Sequence, residues 1–223
     1  AEELQENMVV YINRESYTSG NWSAAGNHSL ERFMIETSKD APHPEAATLF
    51  DAWQGQQPGE ALRLDPLGSG SDYTVFLDHL GVPSLNVGYG SANGIYHSLY
   101  DTYYYYQRFG DPGYRYGVAQ ADMVGRMVMR LANAEILPFD FSGAARVIAG
   151  YVDELVTLDE NGLLRNELRA IGAANATMRV AATQTNGILA TLLDGSAAAL
   201  EQNRNAVDQV NALIMRAERE MID

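Results

Sequence analysis

Residues 71–90 read SDYTVFLDHLGVPSLNVGYG and decide the fold. Their first half predicts a helix, because Ser71 or Asp72 can cap its start, apolar side chains recur at helical spacing, and Gly81 suits its end. The second half, residues 82–90, is a short apolar run that predicts a buried strand. A helix that leads directly into a strand is typical of α/β proteins, in which helices cover a sheet.

The segments before this stretch continue the alternation of strands and helices. MVVYI (residues 8–12) is an apolar, β-branched run that follows a helical tail and predicts another buried strand. The polar residues 13–29 predict a loop. Two helices are then expected, one that stops before Pro42 and one that ends near Gly55.

The segments after it change character. Residues 117–139 predict a long helix that is ended by Pro138, and from Ser142 onward the composition predicts helices without strands. We therefore expect an α/β fold, part of a mainly parallel sheet layered with helices, over residues 1–141. An all-α helical domain is expected over residues 142–223.

Composition excludes several classes of function. The net charge of −14 argues against a nucleic-acid partner, because phosphates would be repelled. No apolar run is long enough to predict a membrane span. The chain has no cysteine, so a metal site would have to use histidine and carboxylate ligands.

His97 is the histidine with the most unusual surroundings. It lies in GIYHSLYDTYYYYQRFGDP (residues 94–112), where Tyr96 and Tyr100 can donate hydrogen bonds and Asp101 can orient a ring nitrogen. Of the other histidines, His43 and His79 are more simply structural or solvated, and His28 is expected to help start a helix. From the residues alone, His97 is either a metal or catalytic residue or a structural one, and the second is the commoner case.

Several motifs, in the same order, resemble segments of the zinc peptidases related to glutamate carboxypeptidase II and the transferrin receptor. GIYHSLYDT resembles their Tyr-His-Ser-x-Tyr-Asp/Glu segment, and LGSGSDYTVFLDHLGVPSLNV resembles their Gly-Ser-Gly turn, helix and strand. FGDPGYRYGVAQADMVGRMVMRLANAEILPFD resembles their Asp-Pro segment and long helix. The helical remainder is similar in placement and length to the family's dimerisation domain, which is expected here to be truncated.

The resemblance implies specific roles for five residues. His97 would be a ligand of the second zinc of a two-zinc site, which makes a water nucleophilic. Tyr96 would donate a hydrogen bond to the oxyanion that forms during peptide hydrolysis. Gly70 and Ser71 would line the substrate pocket on the amino side of the scissile bond, and Asp101 would hold His97 in the required tautomer.

Glu15 stands where the family has an aspartate ligand just past its strand. A carboxylate there is well placed, but glutamate is one methylene longer, so it either reaches the metal at a changed angle or does not bind. The family's other ligands and its general base precede the strand that begins this chain, so the 223 residues alone are expected to be inactive. The arginines that favour acidic substrates have no match in residues 81–94.

The main hypothesis is thus a fragment of a two-zinc exopeptidase of the carboxypeptidase or aminopeptidase type, with a peptide substrate and Zn²⁺ as cofactor. The alternatives are a non-catalytic binding and dimerisation module, like the transferrin receptor, and an α/β scaffold without activity. The resemblance favours an extracytoplasmic location.

The end of the chain carries an apolar stripe at helical spacing. Such a stripe covers its own domain or forms the interface of a homodimer, and a homodimer through the C-terminal helices is our expectation. Its members are Leu200, Val207, Val210, Ile214, Ala217 and Met221.

Overall fold

A computed structural model describes residues 2–90, 94–193 and 201–221. Their contacts divide the chain into two compact units. The first holds the described residues of Ala1–Asn27, Phe33–Asn133 and Arg219–Asp223, and the second holds His28–Arg32 and Ala134–Glu218. The domain assignment made from composition stays a prediction.

The first unit contains a small sheet and most of the shorter helices. In chain order its elements are α1 (Glu2–Asn7), β1 (Tyr11–Tyr17), β2 (Asn21–Gly26), α2 (Glu31–Ser38, which begins in the second unit), α3 (Leu49–Gln56), α4 (Tyr73–Leu80), β3 (Ser84–Gly90), the short α5 (Tyr103–Tyr105) with a following π-helical turn (Tyr106–Gly110), and α6 (Arg115–Ala132).

The described strands form a three-stranded mixed sheet in the order β1-β3-β2. β3 is parallel to β1, with Tyr11 beside Ser84, and antiparallel to β2, with Gly26 beside Leu85. The expectation of strands layered with helices is met, but the expectation of a mainly parallel sheet is not, because β2 runs in the opposite direction. β2 also lies inside residues 13–29, where we predicted a loop.

β2 is a strand because every second side chain is covered. Trp22, Ala24 and Gly26 are buried, whereas Asn21 and Ser23 are exposed. Small and polar residues have low strand propensity, so the sequence NWSAAG gives little sign of a strand. Pairing with β3 and burial on one face stabilise it.

The ends of the helices follow local chemistry. Gly81 ends α4 as predicted: it has a φ of 60° and donates its amide to Leu77 O and Phe76 O. α6 ends at Ala132, earlier than the predicted Pro138. Both the main-chain nitrogen and the side chain of Asn133 donate to Met129 O, which closes the last turn.

α6 packs one apolar face against the sheet of the first unit. Its buried residues recur at helical spacing, and β1 and β3 are the strands it contacts. On the sheet the buried partners include Leu85, Val87 and Tyr89. The buried residues of α6 are Tyr116, Ala119, Gln120, Met123 and Met127.

The regular secondary structure in the described part of the second unit is helical, as predicted for the segment after Ser142. Its helices are α7 (Phe141–Leu158), α8 (Arg165–Leu193) and α9 (Arg204–Glu220, of which the last two residues belong to the first unit), with a 3-10 turn over His28–Leu30. α7 and α8 pack against each other. The Asn175 amide on α8 donates to Ala145 O on α7 at 2.9 Å.

The predicted stripe on the last helix is only partly covered. Val207 and Ile214 are buried within the chain, Val210 is half-buried, and Ala217 and Met221 are exposed. Leu200 lies outside the described residues. Among the described helices, none is both long and apolar enough to cross a membrane.

Candidate active site

The carboxyl ends of β1 and β3 meet at one edge of the sheet, because the two strands are parallel. Ligands and reactive groups gather at that edge in open α/β sheets. Glu15 lies near the carboxyl end of β1, and the loop that contains Tyr96 and His97 follows β3. Glu15 thus lies at that edge, and the His97 loop follows a strand that ends there.

Glu15 lies inside β1 and not past its end, which corrects our placement of this residue. The pairing register of β1 and β3 shifts between Arg14 and Tyr17, so Glu15 occupies an irregularity of the strand. Such bulges redirect side chains and are common beside active sites. The Glu15 side chain is exposed, and its Oε2 accepts a hydrogen bond from Asn86 Nδ2 at 3.2 Å.

Gly70 and Ser71 form the turn before α4. Gly70 has a φ of 120°, which only glycine adopts readily, and its amide donates to Thr74 Oγ1 at 3.2 Å. Ser71 Oγ accepts from Asn13 Nδ2 at 3.0 Å, and the same amide donates to Asn86 Oδ1 at 2.9 Å. Two asparagine side chains thus connect Ser71 with Glu15.

Tyr96 and His97 are adjacent and stacked. Their ring centroids are 3.8 Å apart, and the rings are inclined by 22°. His97 has a φ of 58°, in the left-handed region that non-glycine residues rarely occupy and that is enriched at functional sites. Both side chains are exposed, Tyr96 to 75%. The loop presents the imidazole and the phenol to solvent.

Asp101 closes the same loop. Its amide donates to Ser98 O at 3.2 Å, and the amide of Ser98 donates to Ile95 O at 2.9 Å. Among the described residues, the Asp101 carboxylate makes no hydrogen bond to His97. The role of Asp101 in orienting His97 therefore stays a prediction.

The remaining tyrosines of this region bond chiefly to one another and to charged neighbours. The Tyr103 and Tyr114 hydroxyls are 2.6 Å apart, and this hydrogen bond raises the pKa of Tyr114 more than its slight burial does. Tyr104 accepts from Arg108 at 2.8 Å. The tyrosines that carry these hydroxyls follow the His97 loop in the sequence, and their hydroxyls form a polar surface.

His43 lies in an aromatic cluster of the first unit. Its ring centroid is 5.5 Å from that of Tyr89 and 6.0 Å from that of Tyr116. Burial lowers the pKa of His43; Glu45 opposes this and Arg115 adds to it. Its packing agrees with the structural interpretation made from the sequence.

The residue types at this edge fit part of a zinc site. Carboxylate oxygen and imidazole nitrogen are usual zinc ligands, and Glu15 and His97 are both exposed. Within residues 2–90, 94–193 and 201–221, no three His, Asp or Glu side chains are grouped to hold a metal ion. Zinc sites in proteins use at least three protein ligands. These two residues alone therefore do not complete one.

Three residues of the site were missed by the sequence analysis: Asn13, Asn86 and Gln120. Asn13 and Gln120 are buried, at 7% and 0% exposure. A signal was available for Asn86, which interrupts the apolar strand predicted over residues 82–90, whereas Asn13 directly follows the strand predicted over residues 8–12. Buried polar side chains require partners.

Comparison with known proteins identifies the family. No family model matches the chain. The chain is 31% identical over 157 residues to a probable glutamate carboxypeptidase of Arabidopsis thaliana, covering 69% of this chain and 23% of the relative. It is 32% identical over 162 residues to a probable glutamate carboxypeptidase of Arthroderma benhamiae, covering 68% and 22%.

A third relative extends along almost the whole chain. The aminopeptidase NAALADL1 of Rattus norvegicus is 26% identical over 243 residues, covering 99% of this chain and 32% of the relative. The chain thus spans between 22% and 32% of the length of these three curated relatives. Taken together, the relatives show that the chain belongs to the family of glutamate carboxypeptidase II-like peptidases.

Proposed function

We propose that this chain is part of a two-zinc exopeptidase and supplies His97 and Glu15 as metal ligands. The observation that carries the proposal is the position of Glu15, whose carboxylate is held by Asn86 at the carboxyl edge of the parallel strand pair. The exposed His97 in the loop after β3, together with relatives named as carboxypeptidases and an aminopeptidase, supports it.

Zinc in such a site would lower the pKa of a bound water and polarise the peptide carbonyl. The Tyr96 hydroxyl would donate a hydrogen bond to the carbonyl oxygen as negative charge develops on it. Its 75% exposure and its stacking on His97 leave it accessible to a substrate.

The substrate in this proposal is a peptide, bound partly by the Gly70–Ser71 turn. The side chains linked to this turn, Asn13 and Asn86, are neutral amides. Residues 81–94 also contain no arginine that could form a bidentate pair with a carboxylate, so this part of the site would not prefer acidic residues.

The 223-residue polypeptide would be inactive by itself. The described residues hold no group of three metal-binding side chains, so they would bind zinc weakly if at all. Additional ligands and the general base would come from other parts of a longer protein. The chain covers only 23% and 22% of the two carboxypeptidase relatives, which leaves room for such parts.

The helices of the second unit would form a homodimer. Exposed large apolar side chains on α7 and α8 and on their connection support this, because apolar surface exposed to water favours association. They include Val156 (56% exposed), Leu158 (76%), Leu163 (79%) and Ile188 (64%).

The proposal is tested by zinc content and peptidase activity of the full-length protein. His97→Ala should lose close to one zinc per chain, and kcat should fall by at least about 10³-fold, because a ligand of the catalytic metal is removed. His79→Ala is the matched control, since His79 is also exposed but lies on α4. It should leave zinc content and kcat unchanged.

Two results would refute the proposal. One is a His97→Ala protein with the zinc content and activity of the wild type. The other is a wild-type protein that neither binds zinc nor hydrolyses peptides while still forming dimers, which would favour the transferrin receptor-like binding module.

A further inference from the structure

Gln120 binds two main-chain carbonyl groups beside the irregularity in β1, one on β1 and one on β3. Gln120 lies on α6 and is fully buried. Its Nε2 donates to Glu15 O at 3.0 Å and to Val87 O at 3.1 Å. One side chain therefore ties β1 to β3 at the position of Glu15.

Burying Gln120 has a cost that an apolar residue would avoid. Its Oε1 is buried and has no hydrogen-bond partner among the described residues. An unpaired buried carbonyl is unfavourable, and each one requires an explanation. The two hydrogen bonds that Gln120 donates, one to β1 and one to β3, provide that explanation.

The Glu15 carboxylate is held by a second amide. Asn86 Nδ2 donates to Glu15 Oε2 at 3.2 Å, while Asn86 Oδ1 accepts from the buried Asn13 at 2.9 Å. An amide has one donor end and one acceptor end, so the bond from Asn13 fixes which end of Asn86 faces Glu15. The donor end must face the carboxylate.

We infer that Gln120 and Asn86 are positioning residues for Glu15, Gln120 fixing its main chain and Asn86 its carboxylate. The inference rests on the proposed role of Glu15 as a metal ligand. A carboxylate held in one orientation before a cation binds loses less conformational entropy on binding. Residues that orient metal ligands typically contribute 10- to 100-fold in metal affinity.

The direct test is a set of metal-free crystal structures of the full-length protein. In the wild type the Glu15 side chain should occupy one rotamer. In Asn86→Ala it should spread over several rotamers, and in Gln120→Met the main chain at Glu15 should shift. If Glu15 keeps one rotamer and one main-chain position in both variants, the inference is wrong. If Gln120→Met fails to fold, Asn86→Ala alone still decides whether Asn86 positions the Glu15 carboxylate.

Gln54→Met is the matched control for Gln120→Met. Gln54 also donates from one nitrogen to two main-chain carbonyls, those of Gln57 at 3.1 Å and Glu60 at 2.9 Å. Both carbonyls follow the end of α3 and lie outside the site. This variant should leave Glu15 in its wild-type position.

Zinc affinity, measured by competition with a chromophoric chelator, separates the inference from the proposed function. Asn86→Ala should bind zinc about tenfold more weakly, and this loss should vanish when Glu15→Gln is already present. Additive losses would contradict the inference. Wild-type zinc affinity in Glu15→Gln alone would refute the ligand role of Glu15, and the rotamers would still decide whether Gln120 and Asn86 position it.

Discussion

His97 combines exposure, strain and a stacked aromatic neighbour. For a residue with a Cβ, a φ of 58° is unfavourable by about 1–2 kcal/mol. Because the His97 side chain is exposed, burial of that side chain does not offset this cost. Backbone strain of this kind persists where the surrounding structure imposes it, and it clusters at functional sites. The strained conformation of His97 therefore supports a functional role for this residue, as the sequence motif does.

Tyr96→Phe tests the role of the phenol. The change removes one hydroxyl and keeps the ring that stacks on His97. Because the hydrogen bond would form only as the oxyanion develops, kcat should fall by about 10²- to 10³-fold with KM within about twofold. Steady-state kinetics and zinc content of the full-length protein measure this.

The control for this change is Tyr100→Phe, since Tyr100 is equally exposed, at 77%, in the same loop. It should leave kcat close to that of the wild type. A kcat of Tyr96→Phe within about threefold of the wild type would exclude a catalytic hydroxyl.

The sequence could predict some residues of the site and not others, for a physical reason. Tyr96, His97, Gly70 and Ser71 stand in local motifs that can be read from neighbouring residues. The partner of Glu15, Asn86, is 71 positions away in the chain, and Gln120 is 105 positions away. Hydrogen bonds over such separations depend on the sheet register and the packing of α6, which local patterns do not specify.

At the scale of elements, the end of α4 was predictable because Gly81 is a local signal, whereas α6 ends at Ala132 and not at the predicted Pro138. β2 was not predictable, because its residues other than Trp22 are small or polar and its pairing with β3 makes it a strand. Gly26 illustrates this dependence. A Cβ there would lie 2.5 Å from the Leu85 side chain and 2.9 Å from Ser84 O.

Gly26→Ala should therefore lower the free energy of unfolding by about 1–3 kcal/mol, because β2 and β3 would have to separate. Gly55→Ala is the matched control, since Gly55 lies within α3 and a Cβ there meets nothing within 4 Å. It should raise stability by up to about 1 kcal/mol. Urea denaturation measures both, and equal stabilities of the two variants would contradict the close contact.

Asp140 begins α7 and makes stability depend on pH. Burial, the largest influence, acts to raise the pKa of Asp140, but hydrogen bonds from Ser142, Asn186 and the amide of Gly143 together lower it below its ordinary 3.8. The folded state therefore favours the ionised form. The contribution of ionised Asp140 to the stability of the folded state is complete above about pH 4 and is lost as the pH falls through the lowered pKa.

Asp140→Asn should thus be less stable than the wild type at pH 7, by about 1 kcal/mol for the lost charge-assisted hydrogen bonds. The difference should shrink as the pH falls below 3.8. Thermal denaturation between pH 7 and pH 2.5 follows it. If the stability difference is constant across this pH range, the charge of Asp140 does not contribute to the stability of the folded state.

At the scale of the whole molecule, the open question is what covers the exposed apolar residues of the second unit. Val207 and Ile214 of the predicted stripe are already buried within the chain, so the stripe by itself leaves little for a partner. Leu158 and Leu163, in the region that joins α7 and α8, are 76% and 79% exposed. They were not part of the predicted interface.

If these residues form a homodimer interface, Leu158→Glu combined with Leu163→Glu should convert a dimeric full-length protein into a monomer, because two buried charges would lack partners. Analytical ultracentrifugation measures the association. Val75→Glu is the control, since Val75 is exposed at 56% on α4 of the first unit. A monomeric wild type, or a double variant that still dimerises, would contradict this prediction.

The central claim is that the imidazole of His97 binds zinc, and a crystal structure of the zinc-loaded full-length protein with anomalous scattering data tests it most directly. The account predicts a zinc ion about 2.0–2.1 Å from a ring nitrogen of His97. A zinc-loaded crystal in which the His97 ring contacts only protein and solvent would contradict it.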